Sequence, residues 1–279
     1  LVATPLGGRQ LQGKELSYNN LLDLDAAWRM ANDFDRPAVA IIKHTNPCGL
    51  AAGDTLHEVF EAALACDPAS AYGSVIAVNC PLDAATVGAM GDLFVEAIAA
   101  PGFEPAALEK LASRKNCRLI EIAVPAPADD NLDIRAVRGG LLVQARDVDW
   151  HEEWKVVSER QPTEQEWVDL RFAWVVAKHV KSNAIVYARN RATVGVGAGQ
   201  MSRVDAALIG SIKAGERAKG SVIGSDAFFP FSDGLRVAHA AGATAAVEPG
   251  GSTRDDEVIA AANELGMALV FAGRRHFRH

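Results

Sequence analysis

The sequence predicts an α/β fold, on three observations. Short runs rich in Val, Ile and Ala alternate along the chain with longer stretches whose apolar residues recur at helical spacing. One of the short runs, Ala38–Ile42, is apolar at every position, the pattern of a strand covered on both faces. The composition is 49% hydrophobic yet only 6% aromatic, with Ala, Gly and Val dominant, which suits helices packed closely on a sheet.

In chain order, residues 1–17 are polar and Gly-rich and read as an extended entry segment. Apolar residues at helical spacing predict a helix from Leu22 to Phe34. Residues 37–44 form the apolar strand, bounded by Pro37 and by a turn at Pro47 and Gly49. A helix spans 55–67, with Asp54 or Thr55 as its N-cap. Residues 73–79 read as a strand, 83–100 as a helix and 118–125 as a strand.

The rhythm breaks over 125–165, with Pro125, Pro127, the acidic stretch 128–131, Trp150 and Trp154, and a connection between two lobes is placed there. The division predicted is 1–150 for a first α/β lobe and 151–279 for a second. The second cycle runs through a helix at 163–180, a strand at 184–190, a Gly-rich turn at 194–203 and a helix at 203–218. Then come the segment 221–234, a helix at 234–242, a strand at 243–250, a helix at 253–266, a strand at 268–273 and the tail 274–279. No sequence repeat or low-complexity segment is obvious.

Composition also bounds function. The chain has 279 residues and a formal net charge of -7, opposite to the basic footprint of a polynucleotide binder, although a small anion in a locally basic pocket is compatible with it. Cys48, Cys66, Cys80 and Cys117 are scattered, without a CxxC pair, as in a cytoplasmic protein with reduced thiols and no structural zinc. No window reaches the ~18 apolar residues of a membrane span. The first residues lack a basic start and an apolar core, so they are no signal peptide; they also lack Met, so the chain is expected to begin inside a longer protein.

Four places carry candidate chemistry. At Lys43-His44 a buried strand delivers a cation and an imidazole at its end, where open α/β folds place their ligands. Two readings are open: a solvated Lys beside a capped His, or a base with an electrostatic helper, the ammonium holding the imidazole neutral. Gly195, Gly197 and Gly199 follow a strand loosely as a dinucleotide loop would, but the spacing is not GxGxxG, and a tight turn that lets backbone approach a ligand fits better. Lys181, Ser182, Asn183 and Arg203 flank that turn, either around a polar ligand or as ordinary element ends. The stretch SDAFFPFSD sets three phenylalanines around Pro230 between Asp226 and Asp233, as core or as a slot for a flat heterocycle. The basic tail RRHFRH either frays or docks a cation near an anionic ligand. The dispersed histidines, with no HExxH and no PCxxC, offer poor metal sites.

Eight blocks in order, SYNNLLDLDAAW, KHTNPCG, SAYGSVIAVN, FVEAIAAPGF, VKSNAIVYARN, GVGAGQMSRVDA, SDAFFPFSDG and RRHFRH, resemble the formyltransferase portion of the bifunctional AICAR transformylase/IMP cyclohydrolase family of purine biosynthesis. The likeness runs from about Gly13 to His279. It implies transfer of a formyl group from 10-formyltetrahydrofolate to the 5-amino group of AICAR. That amine is conjugated with its ring and is a poor nucleophile, so the reaction needs a base and an oriented formyl group.

The resemblance assigns the base to His44, directly or through the carboxamide, and stabilisation of the oxyanion or of the leaving folate nitrogen to Lys43. Asn183 would orient the carboxamide. Gly73, Tyr72, Glu96, Arg203, Phe228 and Arg275 match ribotide contacts; Val204, Asp233, Ser252 and Thr253 match the folate side; His279 matches a residue near the site. It implies two cytidine-deaminase-like three-layer αβα lobes without the deaminase zinc, a homodimer with shared active sites, and a cytoplasmic location; it leaves a structural monovalent cation open. Neither a nucleic acid polymer nor a membrane is an implied partner. The cyclohydrolase domain and the Arg-Tyr motif expected before SYNN are absent, as in a stand-alone transformylase or an excised domain. Losing that Arg–phosphate contact, about 1.5–3 kcal/mol, would weaken ribotide binding without abolishing chemistry. The alternatives are a non-catalytic nucleotide- or folate-binding module of the same fold and a relative of the zinc deaminases.

Overall fold

The computed structural model describes residues 4–122, 132–148 and 154–279. The first elements are β1 (Arg9–Gln12), α1 (Tyr18–Asn32), β2 (Ala38–Lys43), β3 (Asn46–Ala52), α2 (Leu56–Leu64), α3 (Pro68–Ala71), β4 (Ser74–Val78), α4 (Ala84–Ala89), β5 (Val95–Ala100), α5 (Pro105–Leu111) and β6 (Arg118–Glu121). A separate hairpin follows, β7 (Leu132–Val137) and β8 (Gly140–Ala145). The remainder is β9 (Lys155–Val156), α6 (Glu164–His179), β10 (Ile185–Arg189), β11 (Ala192–Gly197), α7 (Arg203–Ala214), β12 (Val222–Ser225), α8 (Asp233–Ala241), β13 (Ala245–Glu248), α9 (Asp255–Glu264) and β14 (Ala268–Phe271).

Among the described residues one mixed sheet of 12 strands runs β1-β6-β5-β4-β2-β3-β11-β10-β12-β13-β14-β9. Outward from the seam between β3 and β11 the order is the same in both directions. A hairpin comes first (β3–β2, β11–β10), then an antiparallel neighbour (β4, β12), two parallel strands (β5–β6, β13–β14) and an antiparallel edge (β1, β9). On one face α1 and α6 share a core with Ala40, Ile42, Val186 and Val247. On the other, α2, α4 and α5 cover Ile41, Ile76 and Ile98, while α7, α8 and α9 cover Tyr187, Ile223 and Leu269.

The local reasons are readable. Ser17 and Asn20 form a reciprocal capping box that starts α1 at Tyr18, four residues before the expected Leu22. Thr163 and Glu166 do the same for α6.

Several expectations are corrected. The turn placed at Pro47 and Gly49 is strand β3, and the chain reverses at His44-Thr45 instead. A bulge at Ile41/Ile42 seats Pro47 in the ladder, where its missing N–H would otherwise leave a gap. Gly49 serves packing: a Cβ there would lie 1.8 Å from the Ala63 carbonyl oxygen of α2. The first four residues of the Gly-rich turn at 194–203 are the end of strand β11, and a Cβ on Gly197 would lie 1.8 Å from the Ala206 carbonyl oxygen of α7. The helix expected over 83–100 is α4 followed by β5. Its Ala-rich second half lies between parallel neighbours, where tertiary burial on both faces overrides helix propensity.

Helix α5, the edge strand β1 and the β7–β8 hairpin were not expected. Pro125, Pro127, residues 128–131, Trp150 and the predicted lobe boundary lie outside the described residues. Trp154 packs on Trp167 and Trp174, at 6.0 and 6.1 Å between rings.

Candidate active site

The β2–β3 turn sets the site's geometry. Its two residues, His44 and Thr45, both hold left-handed backbone angles, φ 54 and 61. Neither is glycine and Thr is β-branched, so the conformation is strained and needs support. Asp23 of α1 supplies it: its carboxylate accepts from Thr45 N–H at 2.7 Å and from His44 N–H at 3.3 Å. The tight turn answers how Lys43 and His44 can act together. Lys43 is the last residue of a regular strand, and its Nζ donates to the Tyr72 carbonyl at 2.8 Å. His44, one residue beyond, is freed from strand alternation and is exposed.

The turn is tied to the start of β10. Asn46 donates to the His44 carbonyl at 3.2 Å and accepts from Lys181 N–H at 3.0 Å. Arg278 of the C-terminal tail donates to the Thr45 carbonyl at 3.5 Å and also to the His179 carbonyl. Asn183 follows directly and donates to the Gln200 and Met201 carbonyls at 2.9 and 3.2 Å. Its amide orientation is fixed by Arg203, whose guanidinium donates to Asn183 Oδ1 at 2.7 Å, Ser225 Oγ at 2.8 Å and Asp226 Oδ1 at 2.6 Å. Arg203 and Asp226 form a buried ion pair, which is a positioning device for Asn183 as much as a stabilising one.

The tail is docked. His276 is buried, packs on Trp174 at 4.6 Å between rings and pairs with Asp147 at 2.5 Å. Its neighbour Arg278 accepts the Ser182 N–H on its own carbonyl at 2.9 Å. A thiol mechanism at the NPCG stretch is disfavoured: burial pushes the Cys48 thiol up to about 12 and Cys66 to about 11, far from the nucleophilic thiolate. Among the described residues no three His, Cys, Asp or Glu side chains gather as a metal site, and no helix is long and apolar enough to cross a membrane.

Against this geometry the comparisons with known proteins are direct. The sequence matches the AICARFT/IMPCHase bienzyme family over residues 3–213. The chain belongs to that family. Bifunctional purine biosynthesis protein PurH of Ruegeria sp. (strain TM1040) is 54% identical over 286 residues, covering 97% of this chain and 54% of that protein. PurH of Parvibaculum lavamentivorans is 55% identical over 287 residues, with 97% and 53% covered, and PurH of Rhodospirillum rubrum is 53% identical over 283. The chain thus spans about half the length of these AICARFT/IMPCHase relatives.

The other positions expected from the AICARFT/IMPCHase likeness divide into two groups. Tyr72 and Gly73 adjoin Lys43, Gly73 at φ 75 with its N–H on the Phe94 carbonyl. Phe228 is half-buried beside Asp226, whereas Phe229 is core and Phe231 exposed under Arg254, so the three rings do not form one slot. Val204 follows Arg203 on α7.

The rest are engaged locally rather than with the His44 turn. Glu96 pairs with Arg118 at 2.5 Å. Asp233 accepts from Gly234 N–H, and Ser252 accepts from Arg254 N–H while exposed Thr253 lies between them. Arg275 stacks over Phe277 at 5.6 Å, and His279 gives its carbonyl to Arg135 at 2.6 Å. Asp23, Asn46, Asp226 and Arg278 were missed by sequence reasoning. Asp226 stood in the quoted SDAFF stretch, but nothing in the sequence marked its pairing with Arg203.

Proposed function

We propose that the chain is a phosphoribosylaminoimidazolecarboxamide formyltransferase, moving the formyl group of 10-formyltetrahydrofolate to the 5-amino group of AICAR. The observation that carries this reading is the strained His44-Thr45 turn, locked by Asp23. It presents an imidazole next to an ammonium and is tied through Asn46 to the Asn183 segment. His44 takes the proton from the arylamine as its nitrogen attacks the formyl carbon. Lys43 keeps one donor on the Tyr72 carbonyl and has two more for the tetrahedral oxyanion. The intermediate collapses by expelling the folate nitrogen, which takes up the proton that His44 received and leaves as tetrahydrofolate. Asn183, oriented by Arg203, aligns the carboxamide so that the amine faces the formyl carbon.

The same reading makes Gly73, Tyr72, Glu96, Phe228 and Arg275 ribotide contacts and Val204, Asp233, Ser252 and Thr253 the folate side. It takes 1–150 and 151–279 as two cytidine-deaminase-like lobes of a cytoplasmic enzyme; the printed name of the PurH relatives supports the placing in purine biosynthesis. The test is spectrophotometric tetrahydrofolate release with both substrates present. Replacing His44 with Ala should lower kcat by about 100-fold while leaving ribotide KM within a few-fold. A folded wild-type chain that releases no tetrahydrofolate would leave only a binding role.

A homodimer is part of this proposal. Ile134, Leu141 and Leu142 of the β7–β8 hairpin are 57%, 65% and 59% exposed on a sheet of two strands, which is marginal alone in water. Its feet hold the tail through Arg135–His279 and Asp147–His276. A second copy covering the hairpin would lie against that tail. Light scattering of L141E/L142E should then show monomers, and an unchanged dimer would exclude the hairpin from the interface.

A further inference from the structure

Glu248 is the last residue of β13 and is fully buried. Its Oε2 accepts the backbone N–H of Phe229 at 2.5 Å, and its Oε1 has no partner among the described residues. Two loops meet at this carboxyl. One is the segment after β12, where Phe229 is a fully buried plug and Phe228 sits beside it. The other is Glu248's own continuation, Pro249 to Thr253, which leaves the sheet at Gly250 with φ 72. In the formyl-transfer reading, on which this inference rests for the identity of the two ligands, the first loop carries the ribotide side and the second the folate side.

We propose that Glu248 is a positioning residue that ties the Phe228 loop to the Ser252-Thr253 loop through a single buried carboxyl group, so that the two substrate sides of the site are set together. The charged groups facing it are Arg203 of α7, already paired with Asp226, and Asp255 at the first turn of α9. Burial pushes the carboxyl up to about 8, with Asp255 adding to the rise and the Phe229 amide and Arg203 pulling against it. The group is therefore a neutral acid at pH 7. A neutral acid leaves one O–H unanswered; a carboxylate would leave a charge unanswered, which costs far more. Ionisation is relieved by letting water in, and the loop pinned at Phe229 N–H is what stands in the way.

The experiment measures KM for ribotide and for folate, with kcat, in wild type, E248Q and E248A at pH 7 and pH 9. E248Q is expected to match wild type at pH 7 and to hold its values at pH 9, whereas both wild-type KM values rise several-fold together. E248A is expected to raise both KM values by about ten-fold at pH 7 with kcat within about three-fold. A change in only one KM, no change in either, or a shared pH profile for wild type and E248Q overturns the proposal. If E248A does not fold, the comparison of wild type with E248Q decides alone. If wild type transfers no formyl group, the activity reading fails separately, and amide exchange then tests the tie. Residues 227–231 and 249–253 should both exchange faster in E248A, and protection lost in one segment only, or in neither, overturns it.

Discussion

Replacing Asp23 with Ala tests whether the His44-Thr45 turn is held for chemistry or merely tolerated. The carboxylate makes one short bond, to Thr45 N–H at 2.7 Å, and one long one, to His44 N–H at 3.3 Å. Hydrogen bonds to charged groups contribute about 1.5–3 kcal/mol when short and well aligned, so the pair together is worth about 2 kcal/mol at this half-buried site. In a chain of this size that loss lowers Tm by about 4–8 °C. The catalytic effect should be larger in proportion: displacing His44 by about 1 Å costs on the order of 100-fold in kcat.

The fold supplies a matched control. The β10–β11 turn, Asn190-Arg191, is also left-handed at both residues, and its amides donate to Asp169 of α6 at 3.0 and 2.8 Å. It lies near the far end of β3, where Ala52 N–H meets the Arg191 carbonyl, roughly 20 Å along that strand from His44. D169A should cost stability at least as much as D23A and leave kcat within about two-fold, while D23A lowers it by about 10- to 100-fold. Thermal melts and tetrahydrofolate release measure both. Equal kcat in D23A and D169A would refute the argument that the turn's backbone positions the base.

Two further outcomes follow from the same structure. Glu248 has a folded-state value raised from 4.5 to about 8, so stability is full below pH 4.5 and is lost as pH rises towards 8. At about 1.4 kcal/mol per pH unit the ceiling is roughly 5 kcal/mol. E248Q should therefore melt higher than wild type at pH 8.5 and equally at pH 4, and equal melting at both values contradicts the buried-acid account. Gly197→Ala would force a Cβ to within 1.8 Å of α7 backbone and should cost about 2–3 kcal/mol in urea unfolding, with α7 and Arg203 displaced. Gly199→Ala, at φ 65 with its closest neighbour at 3.8 Å, should cost only about 1 kcal/mol; the reverse order would restore the turn reading of this stretch.

Long periodic elements and buried strands were legible: α6, β2, β4 and β10 stand where the pattern placed them. The failures share a cause. Pro47, Gly49, Gly195 and Gly197 look like turn residues, yet each answers to a neighbour distant in sequence, a helix pressed on the strand or a bulge in the ladder. Ala97–Ala100 looks helical and becomes a strand because parallel neighbours bury both faces. Lys43, His44, Asn183 and Arg203 were named from the sequence as candidate site residues. What holds them was not, because Asp23 precedes its turn by 21 positions and Arg278 reaches back 233 to Thr45.

The indole of Trp174 lies against the imidazole of His276, the anchor of the tail that also carries Arg278. Indole emission responds to what lies against the ring, so in a variant retaining that tryptophan alone it would change as the tail lifts or seats. The protein thus holds an intrinsic optical probe, needing no dye, for whether substrates fasten the end of the chain.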